Sequence, residues 1–435
     1  MDLRSAIAAI RFGLGRRMGD ALPGDPAAWL DRQIAPPGPQ RTGPGLKPPL
    51  TLTDALAAYS RRAKPADAPA IRREIARMTE DDAVAWVGHC LLSDAPFQDR
   101  LTNFWANHLT TSRRVRNAGV FTGPYIRDVV RQHLFGRFAD MLIGAARHPA
   151  MLIYLSNGRS VGPNSPVGRR LGRGLNENLA REILELHTVT PAAGYTQHDV
   201  IEFARILTGW SPDRNSQGSG FAFRAGAHEP GPKTLLGRHF PEGEEGGIEA
   251  LRYLAEHPAT HRHLATKLAC HFVADDPPAS AVDHLYAVLR DTRGDLGAVS
   301  RALVRLPEAW SPPLSKVRAP IDYVLAVGRA VGATGTQARR LHGAMRSMGQ
   351  PLWSAPQPVG WPDVAEEWAV PEALMHRIEW ANAIAGRAGR HDARELAQAC
   401  LGPLASADLL REAARAGSPQ DALTLVLVSP EFQRR

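Results

Sequence analysis

The densest gathering of chemistry-bearing side chains in this sequence runs from Asn176 to His187, where Glu177, Arg181, Glu182 and Glu185 fall within one short segment. Carboxylates at this spacing can move protons, ligate a cation or pair with arginine, and an arginine among them can fix an anion. On a helix turning about 100° per residue, Glu177, Thr188, Arg181, Glu185, Asn178 and Glu182 share one arc of roughly 140°. Leu179, Ala180, Ile183, Leu184, Leu186 and His187 fill the remainder. His187 therefore projects from the apolar side, nearly opposite Glu185, and the two cannot hold one metal from a straight helix. The polar stripe has two readings. It is either a surface face in which Arg181 bridges Glu177 and Glu185 at four-residue spacing, or an internal face turned towards a cleft.

The elements that must position this stripe are helical. Thr196 and Asp199, spaced as an N-cap and its third helical residue, open a second helix whose Asp199, Glu202 and Arg205 form another polar seam. A short turn makes the two helices roughly antiparallel, so the seams can face each other. Elsewhere apolar residues recur at three- and four-residue spacing, as in Leu251, Leu254, Leu264, Leu268 and Phe272, while β-branched alternation is nearly absent. The fold expected is mainly α, a multi-helix globular bundle with long Pro/Gly-rich loops and at most a short β-hairpin, around Phe221–Phe223. Breaks at 36–49, 156–174, 211–247 and 349–371 suggest an N-terminal helical segment and linker (1–50), a main helical body carrying the acidic motif (51–345) and a Trp/Pro-rich loop with C-terminal helices (346–435), within one continuous fold. His257-Pro258 reads as a helix start, not as part of a histidine site.

Composition narrows the function classes. A chain of 435 residues, 44% hydrophobic and 22% charged, can bury a large core. The formal charge of +8 is spread in pairs such as Arg113-Arg114 and Arg339-Arg340, which argues against nucleic-acid binding. Cys90, Cys270 and Cys400 form no C-x-x-C, so each reads as a small core residue. The opening residues lack a secretory pattern, and no apolar run approaches the roughly 20 residues of a membrane span, which points to a cytoplasmic protein unless a partner exports it.

In order along the chain stand Arg11-Phe12-Gly13, Phe104-Trp105 with Asn107-His108, the Asn176 to Glu185 motif, Tyr195-Thr196 with Asp199-Val200, and Ala204-Arg205 leading to Leu207-Thr208-Gly209-Trp210. His228 with Gly231 and Lys233, His257 to Thr260, Lys267-Leu268, Gly349-Gln350-Pro351 and Gly360-Trp361-Pro362 follow. By these motifs the chain resembles, over essentially its whole length, a large bacterial family catalogued as domain of unknown function 1800, and the resemblance implies a mainly helical fold. Two positions depart from the family pattern: His228 is followed by Glu229 where aspartate is usual, and His187 stands where phenylalanine is common.

With that resemblance the acidic motif gains weight as a buried network or site, and two functions are in view. The first is a metal-dependent enzyme, hydrolase or oxidoreductase, in which His108, Glu182 and His228 hold a divalent ion from separate segments. Glu177, Arg181, Glu185 and Lys233 are then the catalytic candidates, a glutamate as general base and Lys233, on a Pro/Gly-stiffened loop, against an anionic substrate. The second is a non-catalytic scaffold or accessory subunit, with Trp353, Trp361 and Trp368 as a partner surface. The resemblance suggests the partner: a neighbour-encoded sulfatase- or phosphatase-like protein of the family of unknown function numbered 1501.

Overall fold

Helix starts in this chain are written in proline and short acceptor side chains. At Asp25-Pro26, His148-Pro149, Ser165-Pro166, His257-Pro258, Ser418-Pro419 and Ser429-Pro430 the first residue accepts a hydrogen bond from a first-turn N–H and proline occupies the first helical position. The proline has no N–H to leave unsatisfied, and its fixed φ suits the helix. The computed structural model describes residues 2–20, 24–61, 68–115, 117–213, 218–388 and 391–435. Among these are 23 α-helices and two antiparallel two-stranded sheets, a mainly α architecture as the periodicity predicts.

The elements that carry the argument are α1 (Ala68–Leu92), α2 (Pro96–His108), α3 (Asn178–Glu182), α4 (Gln197–Ile206), β1 (Trp210–Pro212), β2 (Phe221–Phe223), β3 (Lys233–Leu235), β4 (Arg238–Phe240), α5 (Pro258–Phe272), α6 (Pro320–Ala330), α7 (Ala338–Ser347) and α8 (Pro371–Arg387). Strand β1 pairs with β2, so Phe221–Phe223 is a strand as expected; part of the loop between the two, 214–217, lies outside the described residues. The β3–β4 hairpin exceeds the expectation of at most one hairpin. Its turn places Leu236 at φ +47° and Gly237 at φ +75°, the doubly positive geometry that matches strand twist, and a leucine there carries no turn signal to read.

One connected apolar core runs from Ile7 to Phe432. At its centre Phe12 meets Phe97, Phe272 and Trp310 at ring separations of 5.8, 5.8 and 5.2 Å. Arginines are buried with it, each facing backbone carbonyls. Arg11 donates to Ala309 and Pro312, and Arg329 donates to Gly15, Cys90, Leu91 and Ser93. Five N–H donors on one rigid plane suit such carbonyl-rich turns, where an unmet acceptor would be destabilising. The Arg11-Phe12-Gly13 motif is thereby explained: Arg11 ties the chain start to 309–315, Phe12 fills the core, and the Gly13 carbonyl receives Arg100 Nε at 2.7 Å. Among the described residues no helix is long and apolar enough to cross a membrane.

Candidate functional site

Helix α3 begins at Asn178, where the Asn176 side chain accepts the backbone N–H at 3.0 Å, and from Ile183 to His187 it widens into a π-turn. That wider turn corrects the straight-helix wheel at its far end. Thr188, expected in the polar arc, is fully buried and donates to the Ile183 carbonyl at 2.6 Å, five residues back. His187 is buried, as the wheel requires. Glu177 accepts from Arg181 at 2.8 Å and from Gln197 of α4 at 2.9 Å, with the pair's side chains 32% and 40% exposed. Glu185 is exposed, and among the described residues Arg181 makes no ion pair with it. Glu182 is half-buried; burial and then Glu185 raise its pKa, and burial with the Glu182 charge pushes Tyr154 up to about 12. The seam of α4 does other work than meeting α3: Asp199 accepts the Leu236 N–H at 2.8 Å and Glu202 that of Thr234 at 3.1 Å, so these carboxylates dock the β3–β4 hairpin. The expected capping box of Thr196 and Asp199 starts that helix.

His228 and Lys233 come together. The buried Lys233 ammonium donates to His228 Nε2 at 3.1 Å and to the Glu229 carbonyl, and the Gly243 N–H reaches the same Nε2 at 3.0 Å. A nitrogen that accepts from donors cannot carry a proton, so Nδ1 holds it and donates to the Thr208 carbonyl at 2.8 Å. Both ring nitrogens of His228 are therefore engaged by the fold. Burial lowers the pKa of both groups. The Glu229 carboxylate takes the Asn164 backbone and side-chain N–H groups at 2.9 and 2.6 Å. His108 belongs to different surroundings again, donating from Nε2 to the His187 carbonyl at 3.2 Å with its ring 5.6 Å from His263. Among the described residues no three His, Cys, Asp or Glu side chains gather as a metal-holding group, so His108, Glu182 and His228 do not form the expected ligand set. His108 and His228 are each engaged by hydrogen bonds in different surroundings.

What the fold does assemble is a cavity of about 120 Å³ between α2, α5, the start of α6 and the loop 349–363. Helix α2 supplies Arg100, Asn103, Asn107 and His108 at helical spacing, hence on one face. Arg100 is held by the Gly13 carbonyl and by Asp322 at 2.8 Å, and its remaining Nη2 has no partner among the described residues. Asn103 Oδ1 accepts the Trp86 indole N–H at 3.0 Å; because indole only donates, this fixes the amide orientation and leaves Nδ2 as a second unpartnered donor. Asn107 grips the Trp361 backbone from both sides, accepting its N–H at 2.7 Å and donating to its carbonyl at 2.9 Å. Gly360 makes the grip feasible: its φ is +84°, and a Cβ there would stand 2.5 Å from the Asn107 carbonyl. The loop also holds Trp353 at φ +56°, with its carbonyl accepting the Arg113 N–H at 2.8 Å.

Charges surround this wall. Asp322 binds Arg100 and, at 3.1 Å, Arg435; Asp363 meets Arg435, Lys316 and His271. Burial pushes both carboxyls up, yet Arg100 and Arg435 hold Asp322 down at about 2, and His271, then Arg435 and Lys316, hold Asp363 well below the ordinary range. Trp353 and Trp361 each keep a buried indole N–H without a partner, and Thr111 a hydroxyl. Lys267, half-buried on the wall, makes no hydrogen bond or ion pair among the described residues. His108 is held neutral, its pKa driven far down by burial and by His263, His187 and Lys267. Since a carbonyl only accepts, Nε2 carries the proton and Nδ1 keeps a free lone pair. Cys270, expected as a core residue, is only half-buried and stands on this wall too.

Fold and site together define a mainly α-helical protein with a charged, donor-lined cavity closed by a tryptophan loop. The chain belongs to the DUF1800 family of proteins of unknown function, whose pattern matches residues 7–434. No curated protein and no solved structure matches it. Of the residues singled out from sequence, His108 lines the cavity, as do Trp353 and Trp361, which were expected at a partner surface; Arg100, Asn103, Lys267 as a cation, Asp322, Asp363 and Arg435 were missed. The signal that could have found several of them was present in the short motifs around Asn107, Lys267, Gln350 and Trp361, which meet at this wall.

Proposed function

We propose that this protein binds a small anionic molecule in the cavity between α2, α5 and the loop 349–363, with His108 Nδ1 accepting a hydrogen bond from it. The observation that carries the reading is the collection of unpartnered donors in one wall: Arg100 Nη2, Asn103 Nδ2 and the indole N–H groups of Trp353 and Trp361. A buried donor without a partner is unfavourable by about 1–3 kcal/mol, so several in one place call for an acceptor-rich occupant. Arg100, Arg435 and Lys267 outnumber Asp322 and Asp363, which selects an anion. The neutral His108 offers Nδ1 as an acceptor to a hydroxyl on that molecule.

Titrating the full chain with acetate, lactate and inorganic phosphate, read by calorimetry and melting temperature, tests this. At least one should bind, and Asn103→Asp, which keeps the Trp86 acceptor but turns the free donor into a negative acceptor, should weaken it at least tenfold. If none binds, or if Asn103→Asp binds as tightly as the parent, water satisfies these donors and the reading fails. A second reading, an accessory subunit of the sulfatase- or phosphatase-like kind of partner, is favoured by the exposed apolar side chains of Val359, Val364, Val370, Met375 and Ile378 along 359–378. Trp353 and Trp368 are buried and take no part in such a surface. Co-purification lost on Met375→Glu supports it, and a clean monomer beside the co-expressed partner opposes it.

A further inference from the structure

A second cleft, of about 430 Å³, lies between α1, the segment that follows α2, α7 and the far side of the tryptophan loop. Arg72, Arg113, Arg114 and Arg346 line it against one carboxylate, Glu80. Glu80 is fully committed: Arg113 Nη2 lies 2.8 Å from one oxygen, His342 Nδ1 2.9 Å from the other, and Arg346 stands off at 3.9 Å. The His342 hydrogen bond leads the effects that hold its carboxyl at about 2, so it stays charged. Arg114 is aimed from behind, its Nε donating to the Ser354 carbonyl at 2.8 Å, which leaves both terminal nitrogens for another acceptor. Among the described residues Arg72 has no partner. Three positive charges are thus in excess around one concavity, to which Ile75, Ala76 and Pro351 add apolar wall.

We propose that this cleft is a second binding site, for a small molecule carrying a diphosphate group. Guanidinium forks match phosphate oxygens two at a time, and the charge of a diphosphate balances the excess of three. The cleft has the volume of small-molecule sites, roughly 300–1,000 Å³, and the apolar wall accommodates an uncharged remainder.

The test is calorimetry of the full chain with inorganic pyrophosphate and, as comparator, sulfate at the same ionic strength. Pyrophosphate should bind one to one and at least tenfold more tightly than sulfate. Arg114→Gln with Arg346→Gln should weaken it at least tenfold at unchanged melting temperature; should that pair destabilise the chain, Arg72→Gln, an exposed and unpartnered residue, should still weaken it several-fold. Asn103→Asp in the other cavity should leave pyrophosphate binding as it is. Pyrophosphate binding no tighter than sulfate, loss in Asn103→Asp, or arginine variants that bind like the parent would overturn the proposal.

Discussion

Replacing Asp322 with asparagine should be among the most damaging single-atom changes in this chain. Its carboxylate is the shared anion of two buried arginines, Arg100 at 2.8 Å and Arg435 at 3.1 Å, and neither has another carboxylate as close. The amide oxygen still accepts one hydrogen bond, but the compensating charge is gone, and stranding a buried charge costs about 3–5 kcal/mol. A second estimate follows from proton linkage. A carboxyl held at about 2 instead of 3.8 stabilises the fold by about 2–3 kcal/mol at neutral pH, at about 1.4 kcal/mol per tenfold. The two estimates meet near 3 kcal/mol. For 435 residues melting as one unit, an unfolding entropy of about 0.9 kcal/mol per degree turns this into only about 3 °C, so urea denaturation at pH 7 is the better assay. The sign of the pH dependence follows from the lowered folded pKa. The Asp322 contribution is complete above about pH 4 and vanishes as pH falls through about 2, so the difference between parent and variant should shrink across that window. A loss below 1 kcal/mol, or a difference that persists unchanged to pH 2, would refute the account of the pair as a compensated buried charge.

Gly360→Ala should loosen the tryptophan loop, because the added Cβ meets the Asn107 carbonyl at 2.5 Å and the backbone sits at φ +84°. A loss of about 1–3 kcal/mol in urea denaturation, with faster amide exchange at Trp361, is expected, and parent-like exchange there would contradict it. Glu177→Gln removes the pairing with Arg181 on a face about one-third exposed, so stability should fall by less than about 1 kcal/mol. A larger loss, measured by the same denaturation, would show that the stripe is internal.

How much of this was legible beforehand depended on the range of the interaction. Local signals were strong: Thr196 with Asp199 and His257-Pro258 begin helices as read, since a cap involves residues three apart. Features without a compositional mark were not. The π-turn from Ile183 to His187 has ordinary helix-forming residues, and the β3–β4 turn places a leucine at positive φ. The cavity was the hardest to foresee, because Arg100, Asp322, Asp363 and Arg435 are separated by most of the chain and only the packed core brings them together. Arginine pairs that look dispersed along the sequence behave likewise: Arg113-Arg114 meets Arg72 and Arg346 only when α1 lies against α7.

The loop 349–363 is a wall with two sides. Trp353 and Trp361 face the donor-lined cavity, while Pro351 and Ser354 line the arginine cleft, and Arg113 and Arg114 hold the same stretch through the carbonyls of Trp353 and Ser354. The two proposed occupants would lie on either side of one strap of backbone. Should either one shift that strap, whatever factor the first imposes on the affinity of the second, the second would impose on the first.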